Sequence, residues 1–196
     1  MFSINLIIFW LVLLAVRPTR KIALALAPWL AFAVSYDSMR FFPNYEFRPI
    51  DIRGLFEAER SLFGITTATG TLIPGEWFDI HNCAFADFMA GFFYLCWVPV
   101  PLGFAIYLYL KGKREAYLRF SIAFLFVNLV GFVGYYIHPA APPWYAIHYG
   151  FEPILNTPGN VAGLDRFDTL VGFPVFHSIY CNNSNVFAAV PSLHAA

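Results

Sequence analysis

The sequence predicts an all-α membrane protein: a multi-span helical bundle with one long extracytoplasmic loop. Composition is the first reason. Of 196 residues, 59% are hydrophobic and 20% aromatic, and only 12% are charged, where soluble domains carry roughly a quarter charged residues. Mean hydropathy is +0.61, so a water-soluble fold would lack the polar surface to cover itself. The second reason is the alternation of long apolar runs with short basic connections. The formal net charge is zero and no basic patch accumulates, which excludes nucleic acid as a partner.

Residues 2–16, "FSINLIIFWLVLLAV", carry no charge and end at the basic "RPTRK" (17–21). Residues 22–36, "IALALAPWLAFAVSY", form a second run. Each is slightly short of the roughly 20 residues that cross a bilayer unaided. Flanking aromatics and snorkelling by Arg17 and Lys21 supply the missing length. A signal peptide is the rival reading of the first run, but no basic region precedes it and its positive charges follow it. A third span runs over 83–110, kinked around Pro99 and Pro101, because proline interrupts the helical ladder. A fourth covers 120–137, and Pro191 opens a fifth. The expectation is therefore about four complete spans and the start of another.

Charge then sets the topology. The connection 17–21 holds three Lys/Arg and 111–119 holds four, which places both in the cytoplasm by the positive-inside rule. Residues 37–82 and 138–190 are thereby extracytoplasmic. Within the first of these, "DIRGLFEAERSLFG" (51–64) puts Ile52, Leu55, Phe56 and Phe63 near one helical face and Arg53, Glu57 and Arg60 on the other. Asp51 is the expected N-cap and Gly64 the stop. This reads as an interfacial helix lying on the outer leaflet.

The segment 138–190 is rich in Gly, Pro, Asn and aromatics, and structureless loops of this length are uncommon unless they act. Four of the five histidines lie from there onward: His138, His148, His177 and His194. No H-x-x-x-H or H-x-H pair occurs, so no metal is expected. Cys83 and Cys181 both fall outside and could form one bridge, while Cys96 reads as packing. The sequon Asn182-Asn183-Ser184 is a weak match.

The chemistry gathers at "VPSLHAA" (190–196). Proline favours the first helical position, which would put Ser192 and His194 in a first turn. Unpaired N–H groups there and the positive end of the dipole attract anions. A phosphate so held brings His194 within reach of an ester oxygen as a general acid. The alternative is a histidine that merely packs at the membrane interface. Arg166 is the sole Lys/Arg in 138–196, set beside the turn-forming "NTPGNVAG", and suits a phosphate; an ion pair with Asp165 or Asp168 is compatible with that role. A serine hydrolase built on Ser192 is disfavoured, since no nucleophile elbow or oxyanion hole is found.

The pattern "APPWYAIHYG…NTPGNVAGLDRFD…FAAVPSLHA", with "YDSMR" (36–40), "FEAERSLFG" (56–64) and "FADFMAGFFY" (85–94) upstream, resembles the inositol phosphorylceramide synthase branch of the type 2 phosphatidic acid phosphatase superfamily. The resemblance covers residue 36 to the end. It implies six transmembrane helices around an active site on the non-cytoplasmic face, with no cofactor. It further implies His194 as the acid, Ser192 and its neighbouring backbone as phosphate ligands, and Arg166 as a further phosphate ligand. Asp165, Asp168, Trp144 and Tyr145 match as site-wall residues without assigned roles. The implied activity transfers an inositol phosphate-like head group from a phospholipid to a ceramide or other lipid hydroxyl through a phosphohistidine. A lipid phosphatase is the alternative. No partner subunit can be named, and the short N-terminus favours a bacterial inner membrane.

The family's nucleophile, a histidine four residues before an aspartate, has no counterpart after His194. The whole of 1–196 therefore reads as a single, incomplete domain, which alone would be a non-catalytic fragment. In the genomic DNA, an H-x-x-x-D is expected roughly 35–50 codons past Ala196, the length of a span remainder, a loop and a new span. Sequencing that stretch checks it.

Overall fold

A computed structural model describes residues 2–180 and 185–194. Helices dominate: α1 (Phe2–Ala15), α2 (Arg20–Ser38), α3 (Arg53–Phe63), α4 (Pro74–Ile80), α5 (Ala84–Leu95), α6 (Pro99–Leu110), α7 (Arg114–Ile137), α8 (Pro143–Tyr149), α9 (Asp165–Val171) and α10 (Val175–Tyr180). One hairpin pairs β1 (Ile65–Thr67) with β2 (Gly70–Leu72) in antiparallel register, Thr66 opposite Thr71. The chain divides into two compact units.

The first unit holds residues 1–43, 96–134 and 192–196. Charge-free and apolar, α1 packs along α2, where the Trp10 indole donates to the Ala23 carbonyl at 2.7 Å. The last carbonyls of a helix have no partner of their own. Here the Thr19 hydroxyl donates to Leu13 O at 2.7 Å and Arg20 Nε to Leu14 O at 3.2 Å. Arg20 thus closes the end of α1 from the first residue of α2. Against α7, α2 sets Trp29, whose indole donates to Ser121 Oγ at 3.2 Å and whose ring stacks on Phe124 at 4.7 Å. Ala105 and Leu108 of α6 complete that core.

On α7, polarity is inverted relative to a soluble helix. Ser121 and Asn128 are buried, while Ile122, Phe126, Val130, Val133 and Ile137 are all more than half exposed. Spaced three or four apart, these five form one outward apolar stripe. A contiguous stripe of this kind is what a lipid-facing surface requires.

Of the four expected spans, α7 alone is long and apolar enough to cross a membrane among the described residues, and α5 with α6 qualifies as one broken span. The break at 96–98 falls where the sequence places it, with Pro99 as the first residue of the new helix. At 14 residues, α1 reaches only about 21 Å, and α2 carries Arg20, Lys21 and Asp37 within its 19 residues. Residues 191–194 are not helical, and the rest of the fifth helix expected from Pro191 lies outside the described residues.

The second unit holds residues 44–95 and 135–191. As expected, the polar segment after α2 contains a helix, and the Asp51 carboxylate accepts the Gly54 N–H at 2.7 Å just ahead of α3. Part of the apolar face of α3 is used internally, where Phe56 meets Phe151 at 5.5 Å and Arg53 lies over the same ring. Leu62 and Phe63 stay exposed. The core gathers Ile52, Ala141, Tyr145, Ala146 and Phe187, and Asp51, Ala140 and Ala188 pair as a three-strand set of single bridges.

Beneath that core lies Asn44, 1% exposed. Its carboxamide donates to Tyr135 O at 2.7 Å and Phe187 O at 2.9 Å, and accepts from Asn185 Nδ2 at 2.6 Å. Asn44→Ala would remove a donor from each of two buried carbonyls, of which Phe187 O keeps the Ala140 N–H at 3.1 Å, and an acceptor from the half-buried Asn185 amide. The expected cost is about 3 kcal/mol, read as a lowered midpoint of thermal unfolding in detergent by circular dichroism.

Candidate functional site

The turn that ends the described chain is held by its middle. Leu193 is 5% exposed, while Ser192 and His194 on either side are exposed. Leu193 rests in a notch at Gly131 of α7, where a methyl group on the glycine would lie 2.3 Å from Leu193 Cδ2. Only glycine lets the leucine approach so closely. The buried leucine therefore presents its two polar neighbours outward. The His194 ring packs on Trp97 with centroids 4.5 Å apart. Burial pushes the His194 pKa below the ordinary 6.5, so the free ring is largely neutral at pH 7.

Arg166, in the second unit, lies at the start of α9. Its Nε donates to Asp87 Oδ1 at 3.0 Å and its Nη1 to Asp79 Oδ1 at 2.9 Å. The local ion pair with Asp165 or Asp168 is therefore corrected: the partners sit 79 and 87 residues upstream. Desolvation lowers the guanidinium pKa, but the two carboxylates outweigh it and the net direction is upward. A hollow of about 240 Å³ opens beside it, lined by Ala84, Asp87, Arg166, Thr169 and Leu170. Behind it the Phe167 ring stacks on Phe88 at 5.5 Å, which locks α9 to α5.

The four expected wall residues take distinct places. Asp168 accepts the Phe176 and His177 N–H groups at 2.9 and 3.0 Å, which satisfies the open N-terminus of α10. Asp165 is exposed at the start of α9 and its carbonyl accepts from Thr169 at 2.9 Å. Tyr145 is wholly buried, its hydroxyl donating to Glu152 O at 3.0 Å and accepting from Ile154 N at 2.6 Å. It braces the 150–154 turn from inside. Trp144 packs against the same core. A further pair lies in this unit: His138 Nε2 meets Asp51 Oδ2 at 3.3 Å.

Among the described residues, no three His, Cys, Asp or Glu side chains come together as metal ligands would. Cys83 is exposed, and the Cys83–Cys181 pairing and the sequon at 182–184 lie outside the described residues. Sequence reasoning missed Asp79, Asp87, Gly131 and Trp97. The signal for the acids was available: a loop's one arginine needs counter-charges, and "DIHNCAFAD" (79–87) supplies two.

An outward apolar stripe on a long helix, together with a proline-serine-leucine-histidine turn after a long polar loop, defines a helical, lipid-facing class of protein. The PAP2 superfamily model matches residues 56–196, and the chain belongs to that superfamily. It is 64% identical over 179 residues to a phosphoinositol dihydroceramide synthase of Bacteroides thetaiotaomicron, covering 91% of this chain and 59% of that protein. It is 36% identical over 109 residues to an inositol phosphorylceramide synthase of Candida albicans, covering 52% of this chain and 23% of the relative. The inositol phosphorylceramide synthase catalytic subunit AUR1 of Saccharomyces cerevisiae is 28% identical over 181 residues, covering 88% and 41%. The chain thus spans about three-fifths of the bacterial relative and less than half of the fungal ones. No solved structure matches it.

If Trp97 desolvates the ring, Trp97→Ala should move the His194 titration upward toward 6.5. Nitrogen-15 NMR of labelled histidine across pH 5 to 8 reads this directly; an unmoved midpoint would assign the desolvation elsewhere.

Proposed function

We propose that the protein is a membrane phosphotransferase that moves an inositol phosphate-like head group from a phospholipid to a ceramide or other lipid hydroxyl. The observation that carries this reading is the turn at 191–194, where a buried leucine leaves the serine before it and the histidine after it exposed. Similarity to proteins named as phosphoinositol dihydroceramide and inositol phosphorylceramide synthases supports the choice of lipid and head group. In this reading residues 1–196 form one membrane domain with about four spans in a bacterial inner membrane. The spans lie near 2–16, 22–36, 83–110 and 120–137, and the loop from 138 faces the extracytoplasmic side.

The chemistry follows from a protonated His194 beside a bound phosphodiester. The phosphate's negative charge offsets the desolvation that keeps the free ring neutral. As a nucleophile forms its bond to phosphorus, the bond to the diacylglycerol oxygen breaks and that oxygen takes the His194 proton. In the second half, neutral His194 removes the proton of the acceptor hydroxyl, whose oxygen bonds to phosphorus as the nucleophile leaves. In this reading the nucleophile is a histidine, which forms a phosphohistidine. Ser192 and the backbone beside it hold the phosphate oxygens. Water in place of the lipid hydroxyl would make the same machinery a phosphatase.

The test is head-group transfer by membranes expressing the full open reading frame that contains this chain, with inositol phospholipid and ceramide supplied. His194→Ala should lower turnover by at least about 100-fold, and retained activity would refute the acid role. Gly131→Ala, which forces Leu193 out of its notch, should lower kcat by roughly 10- to 100-fold through misplacement of the turn. Release of free inositol phosphate without a ceramide product would instead assign the phosphatase.

Because a general acid must carry its proton, the basic limb of kcat/KM should fall below pH 6.5, where the free ring titrates. The limb of kcat, set with phosphate bound, should lie higher. A pH–rate profile of both constants checks the order.

A further inference from the structure

Resting on the phosphotransfer reading above, we propose that Arg40 is the cation that holds the reacting phosphate beside the 192–194 turn. Its motif, "YDSMR" (36–40), has no part in the chemistry described so far. Charge argues first. The turn belongs to the first unit, residues 1–43, 96–134 and 192–196. Seven of that unit's eight Lys/Arg lie in the connections 17–21 and 111–119, and Arg40 is the eighth. A phosphodiester at Ser192 and His194 therefore has one guanidinium in its own unit away from the basic connections. Arg166 is shared by two carboxylates, which leaves its cluster net negative, whereas Arg40 pairs with one.

Register argues second. Helices α2 and α7 meet through aromatic side chains and run in the same direction. The Trp29 ring lies 4.7 Å from that of Phe124, Phe32 lies 5.2 Å from Phe124 and 6.1 Å from Phe132, and Tyr36 lies 6.2 Å from Phe132. The turn follows the same order. His194 packs on Trp97, whose ring meets Phe32 edge-on at 6.1 Å. Leu193 sits at Gly131, beside the Phe132 that Tyr36 touches. The backbone thus passes from the level of Phe32 at His194 to that of Tyr36 at Leu193, and Ser192 continues toward the end of α2. The helical path extends through Met39, so Arg40 lies one turn past Tyr36, roughly 6 Å further along.

Fixation argues third. The Asp37 side chain is 6% exposed and pairs with Arg40 Nη2 at 3.0 Å, while the Arg40 side chain is 39% exposed. Among the described residues Asp37 is the guanidinium's one partner, which leaves Nε and Nη1 for phosphate oxygens. A carboxylate held inside the helix packing orients the fork before any ligand arrives, so binding needs little further ordering. An arginine that only snorkels to bulk lipid head groups needs no such buried partner.

The experiment uses the purified full-length protein in phosphate-free detergent and reads binding of inorganic phosphate from its phosphorus-31 NMR line width. Head-group transfer kinetics with inositol phospholipid and ceramide are measured beside it. Saturable broadening is expected from the unaltered protein. Arg40→Ala should weaken phosphate binding and raise KM for the phospholipid, each about 10- to 100-fold, the worth of one charged hydrogen bond. Arg40→Lys keeps the charge beside Asp37 and loses the fork, so its effect should be about 3- to 10-fold. It keeps the test open if Arg40→Ala does not fold. His194→Ala should keep phosphate binding and lose turnover.

No saturable phosphate binding, or loss of turnover in both arginine variants with phosphate binding intact, would overturn the assignment. Folded variants with unchanged phosphate binding and KM would also overturn it, and leave Arg40 an anchor to bulk lipid head groups. Arg40-dependent phosphate binding without head-group transfer would overturn the proposed function and leave the cation site standing. Transfer with unaltered kinetics in both variants would do the reverse.

Discussion

The second unit hangs on one buried carboxamide. Asn44 donates to carbonyls at residues 135 and 187 and accepts from Asn185, which brings together three stretches far apart in sequence. A planar group with two donors and an acceptor fits this junction, and neither aspartate nor leucine could replace it. Asn185 in turn accepts the Phe187 N–H at 2.9 Å. Phe187 is thereby committed to the core beside Tyr145, four residues before Pro191. The short bridges of Asp51, Ala140 and Ala188 run through the same place. A long loop rich in glycine and proline, with little regular structure to satisfy its backbone, needs such a polar anchor.

Much of the architecture was legible because its causes are local. The break before Pro99, the helix between Asp51 and Gly64 and the apolar runs all follow from residues within one or two turns. What was not legible depends on distance along the chain. Arg166 has acids immediately beside it, and local reasoning favours Asp165 or Asp168. The structure instead gives it Asp79 and Asp87, and spends Asp168 on the two N–H groups that open α10. Geometry selects here, since a carboxylate two residues on in a helix leaves a different face from the arginine and serves the neighbouring helix's terminus instead.

The PSLH stretch shows the same division. Its serine and histidine were legible as chemistry. Leu193, chemically silent, turned out to do the positioning. Its seat is a glycine on α7 whose role only appears once the two segments meet. The residues that align a site are often the ones with no functional group to draw notice. Small residues on apolar helices, as in "GFVG" (131–134), are the sequence trace that such close approaches leave.

The packing of His194 on Trp97 has a consequence of another kind. An imidazolium ring accepts an excited indole's electron far more readily than neutral imidazole does, so the 4.5 Å contact couples the histidine's charge to light emission. Trp97 is then a built-in optical gauge of the proton on the neighbouring ring. With the other four tryptophans replaced, dimming and brightening of one indole would report each arrival and departure of that proton in the membrane-bound protein.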